Sequence, residues 1–184
     1  MMELMKKTYL ESAVVMKGDY PYFINPICDG NPEITRELMA EMVDAITERS
    51  DLDCDMILAL EAMALPVATA VTMLTGIPFR VIRKRGHGLP GQIDVEYTTG
   101  YSTSEMYVSP IKEGTRVIII DDVLSTGGTI KALVNALRDN GIVVVEVIAV
   151  LNKHNDVHAF SEEIGVPVIT LLDVAVVDGR PVIR

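Results

Sequence analysis

The sequence predicts an α/β protein built on a parallel sheet with helices on both faces. Short apolar segments alternate with segments of helical spacing, the apolar segments are dense in Val and Ile, and Gly and Pro punctuate the joins. Pro32-Glu33 opens the first predicted helix, in which Ile34, Leu38, Met42, Ala45 and Ile46 recur at helical spacing with charges between them, ending near Ser50. Residues 56–60 then read as a short buried strand, 64–74 as a helix and 79–82 as a second strand, with Gly76 and Pro78 at the join. A strand over 117–120, a helix from about Gly128 to Asp139, a strand over 143–150, a helix near 157–164 and a strand near 168–171 complete the alternation. Met39, Met42, Met56 and Met63 read as core filler.

Two segments break the pattern. Residues 9–31 carry three Tyr, one Phe and two Pro, are too irregular for a helix, and are expected to form a small hood or flap. Residues 84–110 begin with a basic stretch broken by Gly86, Gly88, Pro90 and Gly91, followed by two short strands near 93–98 and 105–108. A break of this length inside a compact domain is usually a functional loop.

A chain of 184 residues is one domain by size, here taken as 1–184 with no linker and no internal repeat. With 49% hydrophobic and 23% charged residues it is globular. Lys and Arg number 16 against 26 Asp and Glu, and the net charge of -10 repels a nucleic-acid backbone. The only basic cluster is 80–85. The amino terminus lacks an uninterrupted apolar segment, and the longest apolar stretch, 142–151, is broken by Glu146 and too short to span a bilayer, so a cytoplasmic protein without membrane partners is expected. Cys28 and Cys54 are isolated thiols, without the spacing of a zinc site or a disulfide framework.

The most informative run is Val117-Ile118-Ile119-Ile120-Asp121-Asp122-Val123-Leu124-Ser125-Thr126-Gly127-Gly128-Thr129. A strand that ends with the apolar run delivers Asp121 and Asp122 at its carboxyl end, the side of a parallel sheet where ligands collect. In the following turn, Gly127 and Gly128 let the backbone approach a phosphate, Ser125, Thr126 and Thr129 offer hydroxyls, and the next helix offers free N–H groups. Carboxylates repel phosphate but accept hydrogen bonds from neutral ribose hydroxyls, so the combination reads as a ribose-5-phosphate site. Separately, a Gly-rich turn is an ordinary crossover and a pair of acids an ordinary strand end; the spacing argues for the joint reading. No Lys follows the glycines as in a nucleotide-triphosphate P-loop, and no G-x-G-x-x-G is present.

This run resembles the PRPP-binding motif of type I phosphoribosyltransferases. Two further loops strengthen the resemblance. Leu60-Glu61-Ala62-Met63-Ala64 matches the pyrophosphate loop, although many members carry Arg or Lys where this chain has Glu61, and Arg83-Lys84-Arg85-Gly86-His87-Gly88-Leu89-Pro90-Gly91 matches the R-K-x-x-x-x-L-P-G flexible-loop signature of the adenine enzymes and their archaeal relatives. The chain is most similar to the archaeal hypoxanthine/guanine group, sharing E-A-M at 61–63, R-K-R-x-x-G-L-P-G at 83–91, T-G-Y-S at 99–102 and V-V-D-G-R at 176–180. Adenine enzymes usually carry Glu-Tyr where this chain has Gly100-Tyr101, and Ala where it has Ser125.

The resemblance implies the type I phosphoribosyltransferase fold with its hood and lid, and transfer of phosphoribosyl from PRPP to a purine, preferably hypoxanthine or guanine. It implies that Asp121 and Asp122 hold the ribose hydroxyls and carry catalysis, and that Leu124, Ser125, Thr126, Gly127, Gly128 and Thr129 hold the 5′-phosphate. Glu61, Ala62 and Met63 would meet pyrophosphate, with Arg83, Lys84 and Arg85 closing over it and Tyr101 among the substrate contacts. Mg²⁺ is expected bound through PRPP or pyrophosphate, with no side chain assigned as its ligand, and a homodimer is expected by analogy. The base is expected to be read from the hood near 20–28, while water, a backbone carbonyl or a carboxylate such as Glu105 takes the purine proton. An adenine enzyme is the nearest alternative. A PRPP- or purine-sensing transcriptional regulator would need a basic DNA-binding appendage, and an orotate enzyme conflicts with the lid signature.

Overall fold

A computed structural model of the chain describes residues 2–18, 20–25, 33–99, 102–154 and 156–184. In chain order the elements are α1 (Glu3–Leu10), β1 (Val14–Lys17), β2 (Tyr20–Phe23), α2 (Arg36–Thr47), β3 (Met56–Leu60), α3 (Leu65–Thr75), β4 (Phe79–Ile82), β5 (Ile93–Thr99) and β6 (Ser102–Val108). There follow β7 (Arg116–Leu124), α4 (Gly128–Asp139), β8 (Val143–Asn152), α5 (Val157–Ile164), β9 (Val168–Val177) and β10 (Arg180–Ile183). Six strands form the central sheet in the order β10-β9-β8-β7-β3-β4, parallel except for β10.

Both faces of the sheet are covered, as the Val- and Ile-rich strands predict. In β7, Ile118 and Ile120 enter the core built with α1, α2 and α3, whereas Val117 and Ile119 enter the core built with α4, α5 and the β5–β6 hairpin. This is the period-two alternation of a strand buried on both sides.

Several expectations are corrected. α2 begins at Arg36, not at Pro32-Glu33, because the Thr35 hydroxyl accepts the Leu38 N–H at 3.1 Å and caps the helix there. The hood is not wholly irregular: Val14–Lys17 and Tyr20–Phe23 form an antiparallel hairpin. Helix α1 precedes it. Its first N–H groups are satisfied from another element, since Glu41 on α2 accepts from Leu4 N at 3.1 Å and Met5 N at 2.7 Å. The carboxyl-terminal strand continues past residue 171 and turns back at Asp178-Gly179, with φ of 48° and 72°, into the antiparallel β10. Asp-Gly with positive φ at both positions is the signature of a tight hairpin turn.

The hood is fixed to the body by aromatic packing. Tyr9 of α1 meets Phe23 edge-on at 5.2 Å between ring centroids, and its hydroxyl donates to the Ala175 carbonyl at 2.9 Å. Burial pushes the Tyr9 hydroxyl up to about 12, so it stays a donor.

Candidate active site

The acidic pair lies inside a paired strand rather than beyond its end. β7 continues against β8 through Asp121↔Ala149, Val123↔Leu151 and Leu124↔Asn152, which corrects the strand end expected at Ile120. Consecutive strand residues point to opposite faces, and the two carboxylates accordingly line different cavities. Asp121 lines a cavity of about 260 Å³ with Ser125, Thr126, Gly127 and Thr129. Asp122 lines one of about 190 Å³ beneath the hood, with Tyr22, Phe23, Asn25 and Lys153. Val123 and Ser125 border both, so the cavities adjoin across the strand end.

The first cavity has the makings of an anion site. Gly127 turns the chain with φ 78°, Gly128 opens α4, and the N-cap Gly127 has no side chain to cap that helix, which among the described residues leaves its first N–H groups for a ligand. Phe160 of α5 backs the bend so closely that a Cβ on Gly127 would lie 2.4 Å from its ring. Leu124 is buried, and its carbonyl accepts the Lys153 N–H at 2.7 Å, tying the start of the bend to the segment after β8.

Asp121 is poorly placed to be charged. Burial, then the adjacent Asp122 carboxylate, hold its carboxyl well above the usual range, while the Asp122 N–H, donating to Asp121 Oδ1 at 2.9 Å, and the Lys84 charge pull the other way. A neutral sugar hydroxyl or a cation arriving beside it would relieve that cost. Asp122 is oriented by the hood, where the buried Asn25 donates from Nδ2 to its Oδ2.

Arg83 and Lys84 meet the 61–64 turn because β3 and β4 are neighbours. Glu61 lies 3.9 Å from Arg83 Nε and accepts the Lys84 N–H at 3.3 Å. At 3.9 Å the Arg83 contact is no hydrogen bond, and Arg83 Nε is buried without a hydrogen-bond partner among the described residues. Lys84 also lines a cavity of about 570 Å³ with Tyr97, Ser104, Glu105 and Tyr107. Glu105, an exposed residue of β6, thus lines this cavity and accepts from the Tyr107 hydroxyl, and it does not line the hood cavity. Arg85 is exposed and lines neither the bend nor the hairpin cavity, and Ala62 and Met63 likewise line neither. Tyr101, with Gly100 and Cys28, lies outside the described residues.

Of the hood residues expected to face the base, Tyr22, Phe23 and Asn25 do line the cavity beside Asp122. Lys153 was not anticipated from the sequence. Its ammonium lies 5.2 Å from the Phe23 ring centroid, and the turn that carries it is held by Asn152, which donates to Asp173 at 2.8 Å and accepts the His154 N–H at 2.8 Å. The available signal was a lone cation directly after the apolar run of β8, at the ligand side of the sheet.

Residues 31–163 match the phosphoribosyl transferase domain. The chain belongs to the phosphoribosyltransferase family. This phosphoribosyltransferase is 44% identical over 176 residues to the hypoxanthine/guanine phosphoribosyltransferase of Methanohalophilus mahii, covering 96% of this chain and 92% of that one. It is 41% identical over 184 residues to the enzyme of the same name from Methanobacterium paludis, covering 100% of this chain and 97% of the relative. Among solved structures, the adenine phosphoribosyltransferase of Thermoanaerobacter pseudethanolicus superposes with a TM-score of 0.74 at 21% identity, covering 91% of this chain and 98% of that one. That of Saccharomyces cerevisiae, complexed with an imino-altritol bisphosphate and adenine, gives 0.73 at 20% identity over 94% of this chain and all of the other. The structural likenesses establish the type I phosphoribosyltransferase fold. No described helix is long and apolar enough to cross a membrane.

Proposed function

We propose that this phosphoribosyltransferase transfers the 5-phosphoribosyl group of PRPP to hypoxanthine or guanine, forming IMP or GMP and pyrophosphate in purine salvage. The observation that carries the reading is the pair of adjoining cavities at the end of β7, one a bend suited to phosphate and one an aromatic-lined slot, with an aspartate in each. Full-length identity of 41–44% to relatives named hypoxanthine/guanine phosphoribosyltransferase supports the choice of base.

In this reading the 5′-phosphate occupies the bend, the ribose spans Val123 between the acids, and the purine enters the hood cavity against Phe23. A purine ring nitrogen attacks C1 and the bond from C1 to the pyrophosphate oxygen breaks, so positive charge grows on the ribose ring and negative charge on the leaving group. Asp121 and Asp122 accept the ribose hydroxyls and present a negative field to the cationic ring. Arg83, whose Nε lacks a hydrogen-bond partner among the described residues, and Lys84 receive the departing pyrophosphate. The proton of the attacking nitrogen leaves to solvent, since Glu105 lies in a different cavity. Lys153, a donor with no acceptor capacity, suits the O6 of a 6-oxopurine and not the amino group of adenine.

Mg²⁺ fits this site as an ion carried in by the diphosphate. Among the described residues no group of three His, Cys, Asp or Glu is placed to hold a metal, while Asp121 and Asp122 offer the hard oxygen ligands it prefers. When bound, it supplies Lewis-acid neutralisation of the leaving pyrophosphate. The test is incubation with PRPP, Mg²⁺ and, in turn, hypoxanthine, guanine, adenine, xanthine and orotate, with nucleotide and pyrophosphate quantified. IMP and GMP are expected; AMP as the dominant product would overturn the choice of base, and no pyrophosphate with any base would overturn the reaction.

A further inference from the structure

Asn152, the last residue of β8, is a buried polar side chain, 5% exposed. A buried amide needs partners at both of its ends, and here each end holds something different. Its Nδ2 donates to Asp173 Oδ1 on β9 at 2.8 Å, and its Oδ1 accepts the His154 N–H at 2.8 Å. A carboxylate only accepts and a backbone N–H only donates, so one orientation of the amide serves both. The side chain therefore bridges a fixed strand, paired to β8 through Asn152↔Asp173, and the turn that leaves β8.

Lys153 stands inside that bridge. Its backbone N–H goes to the Leu124 carbonyl at 2.7 Å, and its side chain lines the hood cavity opposite Phe23, with Asp122 between. The far side of the turn rests on α5, where the His154 ring lies 5.1 Å from that of Phe160. Two residues beyond Asp173 on β9, the Ala175 carbonyl accepts the hydroxyl of Tyr9, which packs edge-on against Phe23. Both walls of the hood cavity, Phe23 on the hood and Lys153 on the turn, are thus referred to one strand of the central sheet. An aromatic face and an ammonium must hold a fixed separation if a planar ring is to meet both, and a misplacement of about 1 Å is costly in a site of this kind.

We propose, on the reading of the hood cavity as the seat of a 6-oxopurine, that Asn152 is a positioning residue for base recognition: by bonding Asp173 and the His154 N–H together it fixes the 152–154 turn on β9 and sets where the Lys153 ammonium stands. Asparagine suits the task because it donates to one partner while accepting from the other, which neither Asp nor an apolar residue of the same size can do.

Steady-state kinetics with hypoxanthine and adenine test this, with thermal melting to confirm that each variant folds. Asn152→Asp keeps the shape of the side chain but sets two carboxylates face to face at the place of the present 2.8 Å bond. Losing a hydrogen bond to a charged group should raise the KM for hypoxanthine by roughly tenfold and narrow the preference over adenine, with turnover at saturating base and the KM for PRPP little changed. Asp173→Asn alone leaves a carbonyl for the Asn152 amide and should behave as the parent. Combining Asn152→Asp with Asp173→Asn reverses the bond, the amide on β9 now donating to the carboxylate on β8, which still accepts the His154 N–H, and should restore the parental KM. In a Lys153→Met protein, Asn152→Asp should add little, because the group it positions is gone. A merely structural role would instead lower the active fraction, and so turnover, with KM unmoved. A parental KM for hypoxanthine in Asn152→Asp, no recovery in the exchanged pair, or full additivity with Lys153→Met overturns the proposal while the reaction stands. A parent that forms no IMP overturns the reading of the cavity, and the role of Asn152 with it.

Discussion

Replacing Gly127 with Ala tests whether the bend after β7 is held in shape for an anion. Two costs follow from the structure. Gly127 has φ 78°, where an L-residue is disfavoured by about 1–2 kcal/mol. Its new methyl would lie 2.4 and 2.6 Å from Cε2 and Cζ of Phe160, a ring only 2% exposed and without room to retreat, and overpacking of this kind costs about 1–3 kcal/mol. The sum is about 2–5 kcal/mol, which at roughly 2–4 °C per kcal/mol for a chain of this length lowers the melting temperature by about 4–20 °C. Function should suffer beyond stability, because a bend displaced from Phe160 misdirects the N–H groups at the start of α4. The loss of one charge-assisted hydrogen bond, about 1.5–3 kcal/mol, weakens ribose 5-phosphate binding by roughly tenfold or more. Calorimetric melting and titration with ribose 5-phosphate read the two effects separately. Adding Phe160→Leu removes the steric part and leaves the backbone part, so the double variant should melt above Gly127→Ala alone. A Gly127→Ala protein with parental melting and parental ribose 5-phosphate affinity would refute the reasoning.

Asp121→Asn should exchange activity for stability. The folded-state carboxyl titrates above its ordinary value of 3.8, so the folded protein loses stability as the pH rises from 3.8 through the raised value; the variant should melt higher than the parent at neutral pH and equally below pH 3.8, while turnover falls about 10²–10³-fold. Equal melting at every pH would show that the charge is not costly there. Glu61→Gln frees Arg83 from a half-exposed ion pair worth at most about 1 kcal/mol, so melting should hardly move. The KM for PRPP should fall severalfold and pyrophosphate inhibit more strongly in steady-state kinetics, whereas a raised KM would assign Glu61 a role in holding substrate. Lys153→Met should raise the KM for hypoxanthine and narrow its preference over adenine, with PRPP affinity unchanged; a variant that kept its preference would place base recognition elsewhere in the hood cavity.

How much of this was legible in the sequence varied with the kind of information required. Strands buried on both faces announce themselves by continuous Val and Ile, and β4 and α5 lie where the pattern sets them, at Phe79–Ile82 and Val157–Ile164. The bend after β7 was legible because its residues are local: Ser125, Thr126, Gly127 and Thr129 line one cavity from neighbouring positions. α1 was not legible, since its N–H groups depend on Glu41, more than thirty residues away, and its packing on Tyr9 and the distant Ala175 carbonyl. Lys153 was missed for the same reason. Only the parallel pairing of β7 with β8, which sets Leu124 beside Asn152, brings it to the cavity that Asp122 lines. Glu105 shows the reverse error, a carboxylate near the lid in sequence that the β5–β6 pairing carries into another cavity.

The position of the acids on a paired strand also bears on how one site handles three chemically different parts of its ligand. On a loop, two adjacent carboxylates could both turn toward one cavity and repel each other there. On β7, the pleat sends Asp121 toward the bend after the strand and Asp122 toward the hood, so the two carboxyls, although close enough for one to raise the other, face different cavities while the backbone on either side stays bonded to β8. Each acid is then tuned by its own surroundings: burial and its neighbour's charge raise Asp121, and Asn25 orients Asp122. In the proposed reading, a sugar lying across Val123 would meet the two carboxylates from adjoining cavities, with its phosphate beyond one and the base beyond the other. Because the strand is the rigid element and the hood is attached to it, the proposed reading makes the ribose the fixed point of the reaction. Phosphate, base and leaving group are positioned relative to it.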